Sequence, residues 1–148
     1  MELSEKPVNL NLQILYQSDY VRVERDDQDI IHYTWLPETE DMNEQEYLSE
    51  LRGFIKTLHE YPYKGILIDM HERKFVVNPQ LQEWMGKEIL PQMFASGIKK
   101  MAICMPESLI PSLSVEQTID EISEKEKKIK SMIGHFIRRD EAHEWLCM

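Results

Sequence analysis

The stretch GILIDMHERKF, residues 65–75, sets an acid and a base at the end of a strand-like run. Ile66, Leu67 and Ile68 read as buried strand, and Asp69 and His71 follow in polar ground. A carboxylate with an imidazole two residues on can move protons for a hydrolase or isomerase, provided that a closed pocket holds both. The C-terminal ends of sheet strands are where open α/β folds place their sites. The same carboxylate can instead accept hydrogen bonds from nearby backbone N–H groups. No partner for Asp69 is evident along the chain, so the structural role is the expectation and the catalytic one an alternative.

Other chemistry finds less support. The histidines, at 32, 59, 71, 135 and 143, form no HxH or HExxH, and the adjacent His71 and Glu72 would point apart on an extended chain. No metal is expected. The glycines, at 53, 65, 86, 97 and 134, make no phosphate-binding loop. There is no GxSxG, and Cys104 lies in an apolar run as an inert packing thiol. Asp120 and Glu121 sit in a charge-rich stretch that reads as a solvated helix face. No cofactor and no enzymatic activity are expected.

Composition narrows the partners. The chain has 148 residues and a formal net charge of −10, which disfavours nucleic acid and anionic membrane surfaces. No apolar run approaches the roughly 18 residues of a membrane span, so stable membrane insertion is not expected. Cys104 and Cys147 make no disulfide framework, and the acidic-polar start has no signal-peptide pattern. A cytoplasmic location is the simplest expectation.

The elements that must carry these residues follow from periodicity. Residues 1–10 read as a flexible tail and 11–148 as one domain. A strand is plausible near Leu12 to Tyr16. Tyr20, Val21 and Val23 alternate with Arg22 and Glu24, and Ile31, Tyr33 and Trp35 with His32 and Thr34. That period of two, with a polar turn between, predicts an antiparallel hairpin. Asn43 and Glu46 have capping-box spacing and open a helix with Tyr47, Leu48, Leu51, Ile55 and Leu58 on one stripe and Phe54 beside it. Pro62 lies beyond its end. After strand GILIDM, Asn78 and Pro79 suit the cap and first position of a helix that Pro91 should break and Gly97 end. KMAICMP reads as a buried central strand. Ser114 and Gln117 form another capping box, SMIGHFI a last strand, and Asp140 the start of a terminal helix with Ala142, Trp145 and Leu146 inward. Met70, Met85, Met93, Met101 and Met105 mostly fill the core, with an adaptable apolar groove as the alternative. The order β-β(-β)-α-β-α-β-α-β-α implies an α/β fold with a mixed sheet and flanking helices.

That order, with the phrases GILIDM, NPQLQEWM, GIKKMAICMP and GHFIRRDEAHEWL, resembles the STAS domains. It is more similar to their divergent bacterial SpoIIAA-like branch, related in fold to the CRAL-TRIO lipid-binding domains. The resemblance implies a regulatory, protein-binding or small-ligand-binding role without catalysis. It also implies an Asp-Ser-x-Gly motif at a helix start, whose serine is phosphorylated. Here Asn78 stands where the aspartate belongs and Pro79 where the phosphoacceptor belongs, so phosphoswitching by that route is not expected. The expected partner is a protein or a second copy of the chain, or else a small apolar ligand or lipid held between helices and sheet. The expected rim is Asp69, His71, Phe75, Asn78, Pro79, Gln82 and Trp84, with Phe75 or Trp84 as exposed anchors.

Overall fold

A computed structural model describes residues 11–109 and 124–148. Six strands form one sheet in sequence order: β1 (Gln13–Gln17), β2 (Val21–Arg25), β3 (Ile30–Trp35), β4 (Gly65–Asp69), β5 (Lys100–Cys104) and β6 (Ile133–Phe136). The first three are antiparallel and β3 through β6 parallel, so the sheet is mixed, as the alternation of elements predicts. The polar turn between β2 and β3 closes through Asp26, whose N–H donates to the Ile30 carbonyl at 3.1 Å.

Helix α1 (Glu44–Leu58) begins at the expected capping box: Asn43 Oδ1 accepts from the Glu46 amide and Glu46 Oε1 from the Asn43 amide. It buries Tyr47, Leu51, Phe54 and Leu58 against Val23, Ile31, Tyr33, Trp35, Ile66 and Ile68. Glu50, also on that face, is held by the hydroxyls of Tyr16 at 2.7 Å and Ser18 at 2.8 Å. The helical pieces around Pro91 are α2 (Pro79–Trp84), a π-helical turn (Met85–Ile89) and α3 (Leu90–Phe94). Proline lacks an N–H to continue the ladder, and the Leu90 amide reaches five residues back to the Met85 carbonyl. Gly97, at φ 104°, ends the segment in the expected left-handed conformation.

The helix opened by Ser114 and Gln117, with Asp120 and Glu121, lies outside the described residues, which resume with α4 (Glu124–Ser131). The terminal helix α5 (Arg139–Leu146) covers the other sheet face. Ala142 and Leu146 pack there with Ile30, Leu67, Ala102 and Cys104. The approach is close: a Cβ on Gly65 would stand 3.1 Å from Leu146 Cδ2 and 3.2 Å from the Lys100 carbonyl. Lys100 Nζ donates to the Trp145 carbonyl at 2.9 Å, a cation at the negative helix end. Among the described residues, no helix is long and apolar enough to cross a membrane.

Residues 71–78, without regular structure, run from β4 back over α1. Their anchor is fully buried Thr39, whose hydroxyl donates to the Leu36 carbonyl and accepts the Lys74 amide at 2.7 Å. Thr39→Val keeps the volume but orphans that amide. The expected cost is about 1–3 kcal/mol. It should appear in denaturant unfolding, with amide exchange accelerated most at residues 73–75.

Candidate functional site

On the α5 face, six side chains from four elements make one continuous hydrogen-bonded array. Helical spacing places Arg139, Ala142, His143 and Leu146 on a single face of α5, so two polar groups descend on the sheet with the apolar pair. Arg139 Nη1 donates to Asp69 Oδ2 at 2.8 Å and to Thr34 Oγ1 at 3.3 Å. Its Nη2 donates to His32 Nδ1 at 2.7 Å. His32 Nε2 in turn meets Asp26 Oδ2 at 2.7 Å, and His143 Nε2 meets the same oxygen at 2.8 Å. The other oxygen of Asp26 accepts the amides of Gln28 and Ile30.

The hydrogens in this array follow from the donors. A guanidinium has no lone pair to offer. His32 Nδ1 therefore accepts, and Nε2 carries the hydrogen given to Asp26. Burial alone would raise the Asp26 carboxyl, but hydrogen bonds from His143 and His32 and from the two amides outweigh it and hold the group well below the usual range. Asp69 is lowered likewise: against its burial stand the His71 amide, Arg139 and the His71 ring.

Asp26, His32 and His143 bring three ligand-type atoms within 4.8 Å of one another, which is the spacing of a metal site. The tautomer argues against one. Arg139 takes the single lone pair of His32 at Nδ1, so Nε2 has none for a cation. Metal-bound histidines use their second nitrogen as a donor to a carboxylate or carbonyl; here that nitrogen faces a cation. The arrangement fits a hydrogen-bond relay rather than a coordination shell.

At the outer end Asp69 Oδ1 accepts both the backbone N–H of His71, at 3.0 Å, and its Nδ1–H, at 2.9 Å. His71 Nε2 is left to accept in an open cleft of about 400 Å³ lined with Arg138, Arg139 and Asp140. The structure thus joins Asp69 and His71 and supplies Asp69 with the partner that the sequence does not reveal. Cys104, beside Asp69, is no nucleophile: burial first, then the Asp69 charge, pushes its thiol up to about 12.

The rest of the expected rim lies elsewhere. Asn78 caps α2, accepting the Leu81 amide at 2.8 Å, and donates to Glu44 at 3.3 Å. Pro79 and Gln82 are exposed. Phe75 and Trp84 are only half-exposed, because Phe75 stacks on Tyr47 at 4.9 Å and Trp84 lies under Arg52 at 6.0 Å. The exposed apolar residue of this region is Val76, at 83%. Trp84 borders a groove of about 360 Å³ with Arg52, Ile55, Glu88 and Gln92. Between α1 and the sheet the free space is about 20 Å³.

Sequence reasoning missed Asp26, His32, His143 and Arg139. Asp26 reads as a turn residue and His32 as the outward side of a half-buried strand, but α5 covers that side. The available signal is the Arg139–Ala142–His143–Leu146 stripe, where an inward apolar pair carries an arginine and a histidine with it. Comparison of the chain with family models, curated proteins and solved structures finds no match.

Both aspartates are lowered, so their contribution to stability is present above the unfolded carboxylate value, near pH 4. It is lost as pH falls through the folded values. Asp26→Asn should cost about 3–5 kcal/mol at pH 7 and flatten the acid limb of stability against pH in denaturant titrations. For the relay, imidazole nitrogen NMR should show His32 as the Nε2–H tautomer, and equimolar zinc should leave Tm unchanged. Both fail if the cluster is a metal site.

Proposed function

We propose that the chain is a non-enzymatic, STAS-like binding module that docks a protein partner on the rim between β4 and α3. The observation that carries this reading is the groove bordered by Trp84, with the bare Val76 on the segment that leads into the same helix. Most exposed apolar groups of this protein stand singly, as is ordinary. Here a bare valine occupies a chain segment pinned at Thr39 and Tyr47, and the helical segment that follows it borders, through Trp84, a groove between α1 and the π turn. Half-buried tryptophan with arginine beside it is the composition of an interface anchor. The six-strand mixed sheet with helices on both faces supports the STAS-like architecture. Pro79 opens α2 with no hydroxyl in its first turn, which supports docking without the phosphoserine switch.

A second reading keeps one observation in its favour. Asp69 and His71 converge at 2.9 Å beside an open cleft, as a hydrolase or isomerase dyad would. Arg139 on the second Asp69 oxygen weakens it, because a carboxylate neutralised by a guanidinium polarises an imidazole less.

Proximity labelling in the native cell separates the two. Wild type should mark a defined protein, and Val76→Asp and Trp84→Ala should each reduce that marking by roughly tenfold, with His71→Ala unchanged. Equal marking by both surface variants overturns the docking reading. Turnover of an ester or enolisable substrate that His71→Ala abolishes replaces it with the catalytic one.

A further inference from the structure

Of the two thiols, Cys104 is buried and Cys147 is exposed. Cys147 stands four residues after His143, and that spacing sets both side chains on one face at the end of α5. Cys147 Sγ lies 3.8 Å from His143 Nδ1, and His143 Nε2 lies 2.8 Å from Asp26 Oδ2. Asp26, held in its ionised form, can only accept. Nε2 of a neutral His143 therefore carries the hydrogen, and the lone pair is at Nδ1, against the thiol. Thiol, imidazole and buried carboxylate stand in the order of a nucleophile, its base and the group that orients the base. Arg139 and Asp26 hold the helix in place; this outward lone pair is the part of the array not needed for that.

The thiol is one that needs such a base. Burial raises it, and the Asp26 charge adds to the rise, while Lys64 and Lys100 pull the other way. At rest the group keeps its proton, and a thiol reacts as its thiolate.

The recess beside Cys147 sets the class of substrate. Lys64, Lys99 and Lys100 line it together with the thiol, around a space of about 320 Å³. The parallel pairing of β4 and β5 gathers them: Gly65 stands opposite Lys100, and the Lys99 amide donates to the Lys64 carbonyl at 3.0 Å. Lys100 Nζ is held on the Trp145 carbonyl. Among the described residues, Lys64 and Lys99 enter no ion pair. In a chain of net charge −10, three ammonium groups around one thiol mark the approach of an anion.

We propose that Cys147 is a site of thiol–disulfide exchange whose substrate is a small anionic disulfide. The Cys147 sulfur attacks one sulfur of the disulfide, and a new S–S bond forms as the old one breaks. The electron pair of the broken bond leaves on the outgoing sulfur. The Cys147 proton passes to His143 Nδ1 and from there to that sulfur. One thiol and one disulfide enter, one thiol and one mixed disulfide leave, and no further oxidant is needed. The recess lies at the starts of β4 and β5, whereas the docking rim begins at the end of β4, so the two readings are independent.

The full chain is treated with oxidised glutathione, an anion, or with cystamine, a cation. Intact mass follows the adduct, with free cysteine as the reference thiol. One adduct should form, on Cys147, and Cys147→Ser should take none. Relative to free cysteine, oxidised glutathione should react roughly tenfold faster than cystamine at low salt, and added salt should shrink the gap. Lys64→Gln combined with Lys99→Gln should close it. His143→Gln should slow both reagents by about tenfold or more at pH 7. That deficit should narrow above about pH 8.5, where a thiol ionises without a base; a purely structural His143 would not produce this. Glutamine can still donate to Asp26, and near-ultraviolet circular dichroism checks that the variant is folded. If it is not, the charge preference and the lysine pair decide. Cystamine reacting as fast as oxidised glutathione overturns the site, as does an adduct on Cys104, or a folded His143→Gln that matches wild type at every pH.

Discussion

The Arg139 guanidinium is the constraint on which the α5 face depends. It ties the first turn of α5 to the end of β4 through Asp69 and to the middle of β3 through His32 and Thr34. An eight-residue helix is too short to persist in water by itself. Its fully buried apolar side chains are Ala142 and Leu146, with Trp145 partly buried beside them, and a buried leucine contributes about 1.5–3 kcal/mol. Burial of that size can hold a helix on a sheet but says little about where along the sheet it sits. The array supplies the position. Shifting α5 by one residue would rotate Arg139 and His143 off their acceptors and strand Asp26, a carboxylate with no exposed surface. A half-satisfied buried network costs more than an apolar core, so the arrangement tolerates one register.

The two faces of the sheet are consequently built on different principles. Toward α1 the core is broad and apolar, with Tyr33 against Phe54 at 4.1 Å and against Trp35 at 5.1 Å. Toward α5 a smaller apolar cluster grades into the polar array as it crosses from β5 to β2. The end of β4 serves both. Successive residues of an extended chain point to opposite faces, so Asp69 turns to Arg139 while Met70 lines the aromatic cleft. One strand end thus faces a satisfied polar cluster on one side and a largely apolar cleft on the other.

How much of this was legible follows from how far apart the cooperating residues lie. The capping box at Asn43 and Glu46, the hairpin turn after Arg25 and the left-handed Gly97 depend on neighbours within a few positions, and the chain states them locally. The alternation of strands and helices likewise states the mixed sheet. His32 and Arg139 are 107 positions apart and Asp26 and His143 are 117 apart, and no spacing rule reaches that far. His32 looked outward because a period of two distinguishes the faces of a strand without saying whether the second face is covered. Phe75 and Trp84 looked like exposed anchors because hydrophobicity marks them, while the groups set against them, the Tyr47 ring and the Arg52 guanidinium, belong to another element. Asp69 drew attention for the right reason, its place at a strand end, but its partner comes from the far end of the chain.

The balance of satisfied and unsatisfied groups then shifts the functional weight across the sheet. Every acceptor of Asp26 and Asp69 that the fold buries is met by a donor, and an array so complete resists change; its carboxylates are spent on holding α5. Natural folds break their own rules mostly where they bind or react. Among the described residues the broken rule is the buried Tyr33 hydroxyl, on the α1 side of the sheet. Removing the Tyr33 hydroxyl should therefore leave the protein as stable or more so, since phenylalanine keeps the ring contacts and drops an unpaired polar group. At the strand end it is Asp69, through Arg139, that ties β4 to α5.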